Sequence, residues 1–208
     1  MDHSIKFWDR IADRYARTPV KDEATYQKKL AITQGYLRPD MKVLEFGCGT
    51  GSTALVHAPH VSSYTAIDVS PKMISIAEQK LNTASVDNVT FKVAALDELK
   101  TTNESYDAVL GLSILHLLEQ RDEAIHQVYQ MLKPGGIFVS STACLGDTMG
   151  YFRYIAPIGK FFGLMPLVRV FTEAELINSL ESAGFKIDFK LEPKNSKLVS
   201  FLIAIKPD

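Results

Sequence analysis

At 208 residues, with 46% hydrophobic and 23% charged side chains, the chain can bury a real core and lies where one domain is the default. A formal net charge of -1 leaves no global basic field, which disfavours a protein that tracks duplex nucleic acid. Two cysteines, Cys48 and Cys144, with no C-x-x-C, suggest neither a disulfide framework nor a zinc knuckle, and reduced thiols are expected.

The opening MDHSIKFWDRIADRYARTPVKDE is charged throughout and has no apolar signal core, so a cytoplasmic location is the simplest reading. Within it, 5–17 reads as a helix carrying Phe7, Trp8, Ile11 and Tyr15 at three-to-four spacing, and 23–37 as a second. After Pro39 and Asp40 the texture changes to short apolar strands alternating with amphipathic helices. Strands are expected at 42–46, 63–67, 89–93, 106–112 and 136–141, with helices notably at 71–84 and 122–132. That alternation implies right-handed crossovers and a mostly parallel sheet covered on both faces. The tail differs: 184–191 and 197–205, joined by Glu-Pro-Lys-Asn-Ser, read as an antiparallel hairpin that finishes the sheet.

The stretch VLEFGCGTGS closes the first strand with Gly47, Gly49 and Gly51 and an acid, Glu45, just before them. In an open parallel sheet a ligand sits beyond the carboxyl ends of the strands, and glycines there let backbone approach it closely. A dinucleotide fingerprint needs G-x-G-x-x-G, whereas Ser52 stands at the place of that third glycine, and no Gly-Lys-Ser/Thr follows to make a phosphate loop. Glu45 would repel a phosphate but suits a cationic ligand. A nucleoside with a positively charged tail fits better, although a tight turn with no ligand remains the alternative for the glycines.

With these residues in order, the chain resembles the class I S-adenosylmethionine-dependent methyltransferases, closest in texture to the small-molecule branch that includes quinone-biosynthesis C-methyltransferases. Glu45 to Gly51 matches D/E-x-G-x-G-x-G, and Asp68 ends the second strand. Tyr106-Asp107-Ala108-Val109 leads the fourth strand, and Leu132-Lys133-Pro134-Gly135-Gly136 precedes the fifth. The resemblance implies an α/β, Rossmann-like, doubly wound, mostly parallel seven-stranded sheet with an antiparallel C-terminal hairpin and N-terminal cap helices. It implies one methyltransferase domain over 1–208: cap helices at 1–40, a cofactor core at 41–145, a substrate-side insert at 146–171, and a final helix and hairpin at 172–208.

The same resemblance implies the cofactor, S-adenosylmethionine, with S-adenosylhomocysteine as product. It puts the methionine moiety near Gly47, Cys48 and Gly49, with Gly51 completing the loop and Glu45 supporting it. Asp68 would accept from both ribose hydroxyls, unless it serves only as an acid at the start of the next helix. Val69 and Met73 would flank the adenine. Relatives often place an acid directly after the third strand, whereas this chain has Ala94 and Ala95 there; Leu96 and Asp97 would serve instead, or Asp97 is a solvated helix-start acid. Leu112, at the end of the fourth strand, joins the cofactor set. Tyr15, with Trp8 second, would bring a ring toward the sulfonium, or both merely pack their helix on the sheet.

The chemistry implied is methyl transfer by in-line displacement, for which positioning and desolvation suffice and no metal is expected. His116 is the candidate base if the acceptor must lose a proton, the alternative being a packing residue. His57 and His60 look metal-like, but Pro59 separates them and no third ligand is evident. The insert, rich in aromatics and broken by Pro157 and Pro166, falls far short of the about 20 apolar residues that span a bilayer. It reads as a lid on an apolar acceptor pocket, as a surface turning Arg153, Lys160 and Arg169 to lipid headgroups in transient membrane contact, or as a helical cover. After it, Thr172 and Glu175 form a capping box. A small, partly apolar acceptor is expected and nucleic acid is not. A protein or RNA methyltransferase and a non-catalytic cofactor-binding regulatory module are the rivals.

Overall fold

The computed structural model describes residues 2–99, 102–161, 165–191 and 198–208. Its strands are β1 (Lys42–Phe46), β2 (Ser63–Asp68), β3 (Val89–Val93), β4 (Tyr106–Leu112), β5 (Leu132–Ala143), β6 (Lys186–Lys190) and β7 (Val199–Ile205). They form one sheet in the order β3-β2-β1-β4-β5-β7-β6. The pairs β1/β2, β2/β3 and β4/β5 are parallel; β5/β7 and β6/β7 are antiparallel. This is the doubly wound, Rossmann-like plan with an antiparallel end. The chain divides into two compact units, Met1–Glu98 and Leu99–Asp208.

In the first unit, α1 (Asp2–Arg17) and α2 (Glu23–Gln34) precede β1, α3 (Ser52–His57) follows the glycine loop, and α4 (Pro71–Leu81) joins β2 to β3. Leu44, Tyr64 and Ile67 are fully buried between them. Each such side chain contributes about 1.5–3 kcal/mol on leaving water, so burial, rather than the propensity of five-residue strands, holds the parallel pairs. Helix α4 starts sharply because Pro71 follows Ser70, whose hydroxyl accepts from the Met73 amide at 3.1 Å. It ends at Leu81, three residues before the expected 84.

In the second unit, α5 (Arg121–Met131) leads into β5, α6 (Phe152–Phe161) lies in the insert, and α7 (Glu173–Ser182) precedes β6. Strand β5 begins at Leu132, four residues earlier than expected, because Tyr106 pairs with Leu132 ahead of a register shift. Gly135 takes φ 71°, and a Cβ on Gly136 would stand 2.8 Å from the Lys133 carbonyl oxygen, so this irregular step needs both glycines. The capping box is present: Glu175 N–H donates to Thr172 Oγ1 at 3.1 Å, and Thr172 N–H donates to Glu175 Oε2 at 2.7 Å.

The hairpin strands are shorter than expected. Gly184, at φ 103°, belongs to the turn after α7, and β6 starts only at Lys186. The expected connection at 192–196, together with Lys197, lies outside the described residues. No helix among those described is long and apolar enough to cross a membrane.

Candidate functional site

At the carboxyl end of β1 the chain turns through three glycines, all with positive φ: 66° at Gly47, 53° at Gly49 and 74° at Gly51. Their surroundings differ. A Cβ on Gly51 would meet Phe91 Cζ at 2.6 Å and Ala77 Cβ at 2.8 Å, so this glycine is required by packing within the unit. A Cβ on Gly49 would meet only Tyr15 Cε1, at an ordinary 3.9 Å. Gly47 and Gly49 are only half-buried, and Gly49 has the bare backbone and free space that close approach by a ligand requires.

Two carboxylates flank this loop. Asp68, at the end of β2, accepts the Gly49 amide at 2.9 Å on one oxygen and the Ser70 amide at 2.9 Å on the other. A carboxylate offers about four lone-pair positions, so acceptor capacity remains beyond the Ser70, Gly49 and Val69 amides. Burial pushes its carboxyl upward, opposed by the Ser70 and Gly49 amides. Since Ser70 itself caps α4, Asp68 is not that helix's N-cap.

Glu45 is 2% exposed, and the Tyr64 hydroxyl donates to its Oε2 at 2.9 Å. Burial drives its carboxyl up to about 8 against the pull of that hydrogen bond. A buried acid in this state is protonated at neutral pH and ready to ionise if a cation arrives. Between the two carboxylates, Cys48 donates its amide to the Ile67 carbonyl. Burial, then Glu45 and Asp68, push its thiol well above the ordinary value, so Cys48 is a protonated loop residue.

The remaining candidates in this unit are spread around the loop. Tyr15 is half exposed on α1, edge-on to Trp8 at 6.2 Å between ring centroids, with Cε1 3.9 Å from where a Cβ on Gly49 would stand. Val69 is half-buried, while Met73 and Leu96 are buried. Asp97 is exposed; in the same turn it is Glu98 that accepts the Ala95 amide, at 3.1 Å. His57 is 1% exposed with neither ring nitrogen bonded to a described residue, whereas His60 is exposed. No cluster of three or more His, Cys, Asp or Glu among the described residues is arranged to hold a metal.

Leu112 and His116 belong to the second unit. Leu112 is half-buried at the carboxyl end of β4, and the next residue, Ser113, is held at φ 58° with its amide donating to Ser141 O at 2.6 Å. A non-glycine in the left-handed region at a strand's carboxyl end is a strained feature typical of binding sites. His116 sits in a 3-10 turn, Leu115–Leu117, and its carbonyl accepts the Arg169 amide at 2.7 Å. Burial pulls its imidazole down to about 4, and Nδ1 is buried without a described partner. It is neutral at pH 7 and a weak base.

The insert is pinned at its root, where Gly146 N–H donates to Phe171 O at 2.9 Å and Glu173 N–H to Asp147 Oδ2 at 2.8 Å. Helix α6 buries Ala156 and leaves Tyr154 and Ile155 at 76% and 47% exposure, with Tyr151 just before it at 55%. Phe162 and the side chains of Lys160 and Phe161 lie outside the described residues.

Four participants carry no sequence signal of their own: Tyr64, Asp9, Lys80 and Ser113. Tyr64 and Glu45 lie on one face because β1 and β2 pair Glu45 with Ala66, two residues on. Lys80 donates to Thr50 Oγ1 and Ser52 Oγ, both at 2.8 Å, tying α4 to the glycine loop.

Comparison with known proteins gives a consistent result. Residues 43–136 match the family described as a methyltransferase domain. An uncharacterized methyltransferase, YcgJ of Bacillus subtilis, is 27% identical over 110 residues, covering 53% of this chain and 44% of that relative. The demethylmenaquinone methyltransferase of Symbiobacterium thermophilum is 24% identical over 157 residues, 72% of this chain and 61% of its own length. The sequence matches span less than half the length of YcgJ and of several other curated relatives. The YcgJ crystal structure superposes with a TM-score of 0.72 at 16% identity, covering 88% of this chain and 99% of that one. The [4+2]-cyclase SpnF gives the same TM-score at 21% identity, over 92% of this chain and 83% of its own.

Proposed function

Because residues 43–136 match the methyltransferase-domain family, we propose that this chain transfers a methyl group from S-adenosylmethionine to a small, partly apolar acceptor. The observation that carries the reading is the loop itself: two half-buried glycines with positive φ, Gly47 and Gly49, between a buried acid, Glu45, and an acid with spare acceptor capacity, Asp68. These residues fit the cofactor, which brings a methyl group already activated on a sulfonium. Asp68 receives the two ribose hydroxyls in charge-assisted bonds. Glu45 ionises to accept the amino-acid ammonium, and Gly47 and Gly49 let that moiety lie against the backbone. Val69 and the edge of Met73 line the adenine, with Leu96 and Asp97 at its rim. Tyr15 shields the reacting end from water, where exclusion of solvent strengthens every charge interaction.

On the acceptor side, the open aromatic face of α6 supports an apolar partner. His116, neutral and weakly basic, serves as a hydrogen-bond acceptor rather than a strong base. Acceptors that need little deprotonation therefore suit it best. One observation favours a second reading: the fold is shared with SpnF, a [4+2]-cyclase, so fold alone does not dictate methyl transfer.

The test uses methyl-labelled S-adenosylmethionine and an extract of the native cell split into lipid, small-molecule, protein and RNA fractions. Label in the lipid or small-molecule fraction supports the reading. Label only in protein or RNA rejects the acceptor class, and no label with intact cofactor binding favours a non-catalytic module or another reaction.

A further inference from the structure

Helix α1 is tied to the start of α4 at a buried serine. Ser70, fully buried, donates its hydroxyl to Asp9 Oδ1 at 2.5 Å, and the same carboxylate oxygen accepts the Lys72 amide at 3.1 Å. Asp9 thus satisfies one of the free amides at the start of α4 from outside that helix. Ser70 faces the cofactor loop as well, since its amide donates to Asp68, which in turn holds the Gly49 amide. One residue therefore joins the α1 carboxylate to the proposed ribose carboxylate. Six positions along α1 from Asp9, the Tyr15 ring is the neighbour that a side chain on Gly49 would meet, its Cε1 3.9 Å from where that Cβ would stand. The nearby Lys72–Asp13 pair, at 3.6 Å and well exposed on both sides, adds little.

We infer that Asp9 is a positioning residue for the cofactor: by bonding Ser70 and the Lys72 amide it latches α1 onto the start of α4 and keeps Tyr15 over Gly49. The latch must part before S-adenosylhomocysteine leaves, so Asp9 sets the release rate. This rests on the cofactor site proposed above. Nothing in FWDRIADRY distinguishes Asp9 from the other charged residues of the helix; the contacts alone single it out.

Trp8 is the only tryptophan in the chain and lies beside Tyr15, so its fluorescence reports ligand release from the full-length protein. Stopped-flow chase of bound S-adenosylhomocysteine should show release at least about tenfold faster in Asp9→Ala. Alanine favours helix more than aspartate, so unwinding of α1 would not account for it. Asp9→Asn keeps an oxygen acceptor for both donors and should release at near the wild-type rate, a rescue that a purely electrostatic or bulk structural role does not give. Hydrogen exchange on Asp9→Ala should show lost protection in α1 and at 70–73 with β1 and β2 unchanged. Equal release rates in wild type and Asp9→Ala, or no rescue by asparagine, overturn the latch. Failure of the wild-type protein to bind S-adenosylhomocysteine overturns the cofactor site and the latch together.

Discussion

Glu45, in the proposed cofactor site, lowers the stability of the ligand-free protein as pH rises, and the effect has a definite pH signature. Burial raises its carboxyl from an ordinary 4.5 to about 8. The folded state then keeps a proton that the unfolded chain has already released, so the stability present below pH 4.5 is lost progressively as pH rises toward 8. Each pH unit separating the folded value from the unfolded one is worth about 1.36 kcal/mol, so the loss approaches about 4 kcal/mol near pH 8 and is below about 1 kcal/mol at pH 5. Glu45→Gln keeps the shape of the side chain and an oxygen for the Tyr64 hydroxyl but cannot ionise. Its amide adds a buried N–H donor, costing about 1–3 kcal/mol, but that cost does not depend on pH. The diagnostic quantity is therefore the change in the gap. In urea unfolding without ligand, the stability of Glu45→Gln relative to wild type should rise by about 3 kcal/mol between pH 5 and pH 8. With saturating S-adenosylhomocysteine, whose ammonium favours the ionised acid, the wild-type slope should flatten. A gap that stays constant from pH 5 to pH 8 refutes the assignment of Glu45 as a buried, protonated acid.

Asp68→Ala should weaken S-adenosylhomocysteine binding by about 1.5–3 kcal/mol while the protein stays folded, as calorimetry can measure; unchanged affinity rejects the ribose assignment. The glycines should separate by role: Gly51→Ala, which drives a Cβ to 2.6 Å from Phe91, should unfold or precipitate, while Gly49→Ala, whose Cβ meets only Tyr15 at an ordinary 3.9 Å, should fold and bind cofactor at least about tenfold more weakly. His57, pulled down to about 4 by burial and by His60, contributes stability above pH 6.5 that is lost as pH falls toward 4. His57→Leu should therefore move the acid unfolding midpoint to lower pH, and an unmoved midpoint would place the acid sensitivity elsewhere.

Most of the fold is legible in the sequence because its signals are local. Strands β1, β3 and β4 fall where the apolar runs put them, and the capping box at Thr172 marks the return from the insert as its spacing implies. The misplaced boundaries share a cause: they are set by pairing partners rather than by their own residues. Strand β5 starts early because Tyr106 reaches Leu132 across an irregular step, and β6 starts late because Gly184 is taken up by the turn after α7. No window of sequence around either position contains that partner.

The site divides along the same line. A glycine or an acid at a strand's carboxyl end is readable because the position and the residue type carry the chemistry together. The pattern still treats three glycines as equals, and only the contacts separate Gly51, which lets Phe91 and Ala77 pack, from Gly49, where a side chain would meet only the Tyr15 ring. Tyr64 and Asp9 are invisible in the sequence for a further reason: each matters through one hydrogen bond to a residue 19 or 61 positions away. Tyr64 keeps the buried Glu45 from being an orphaned acid, and Asp9 ties the N-terminal cap helix to the strand end that Asp68 occupies. The motif therefore names what touches the ligand, while the residues that govern the protonation of that motif and the exchange of its ligand come from the register of β1 on β2 and the docking of α1 on α4.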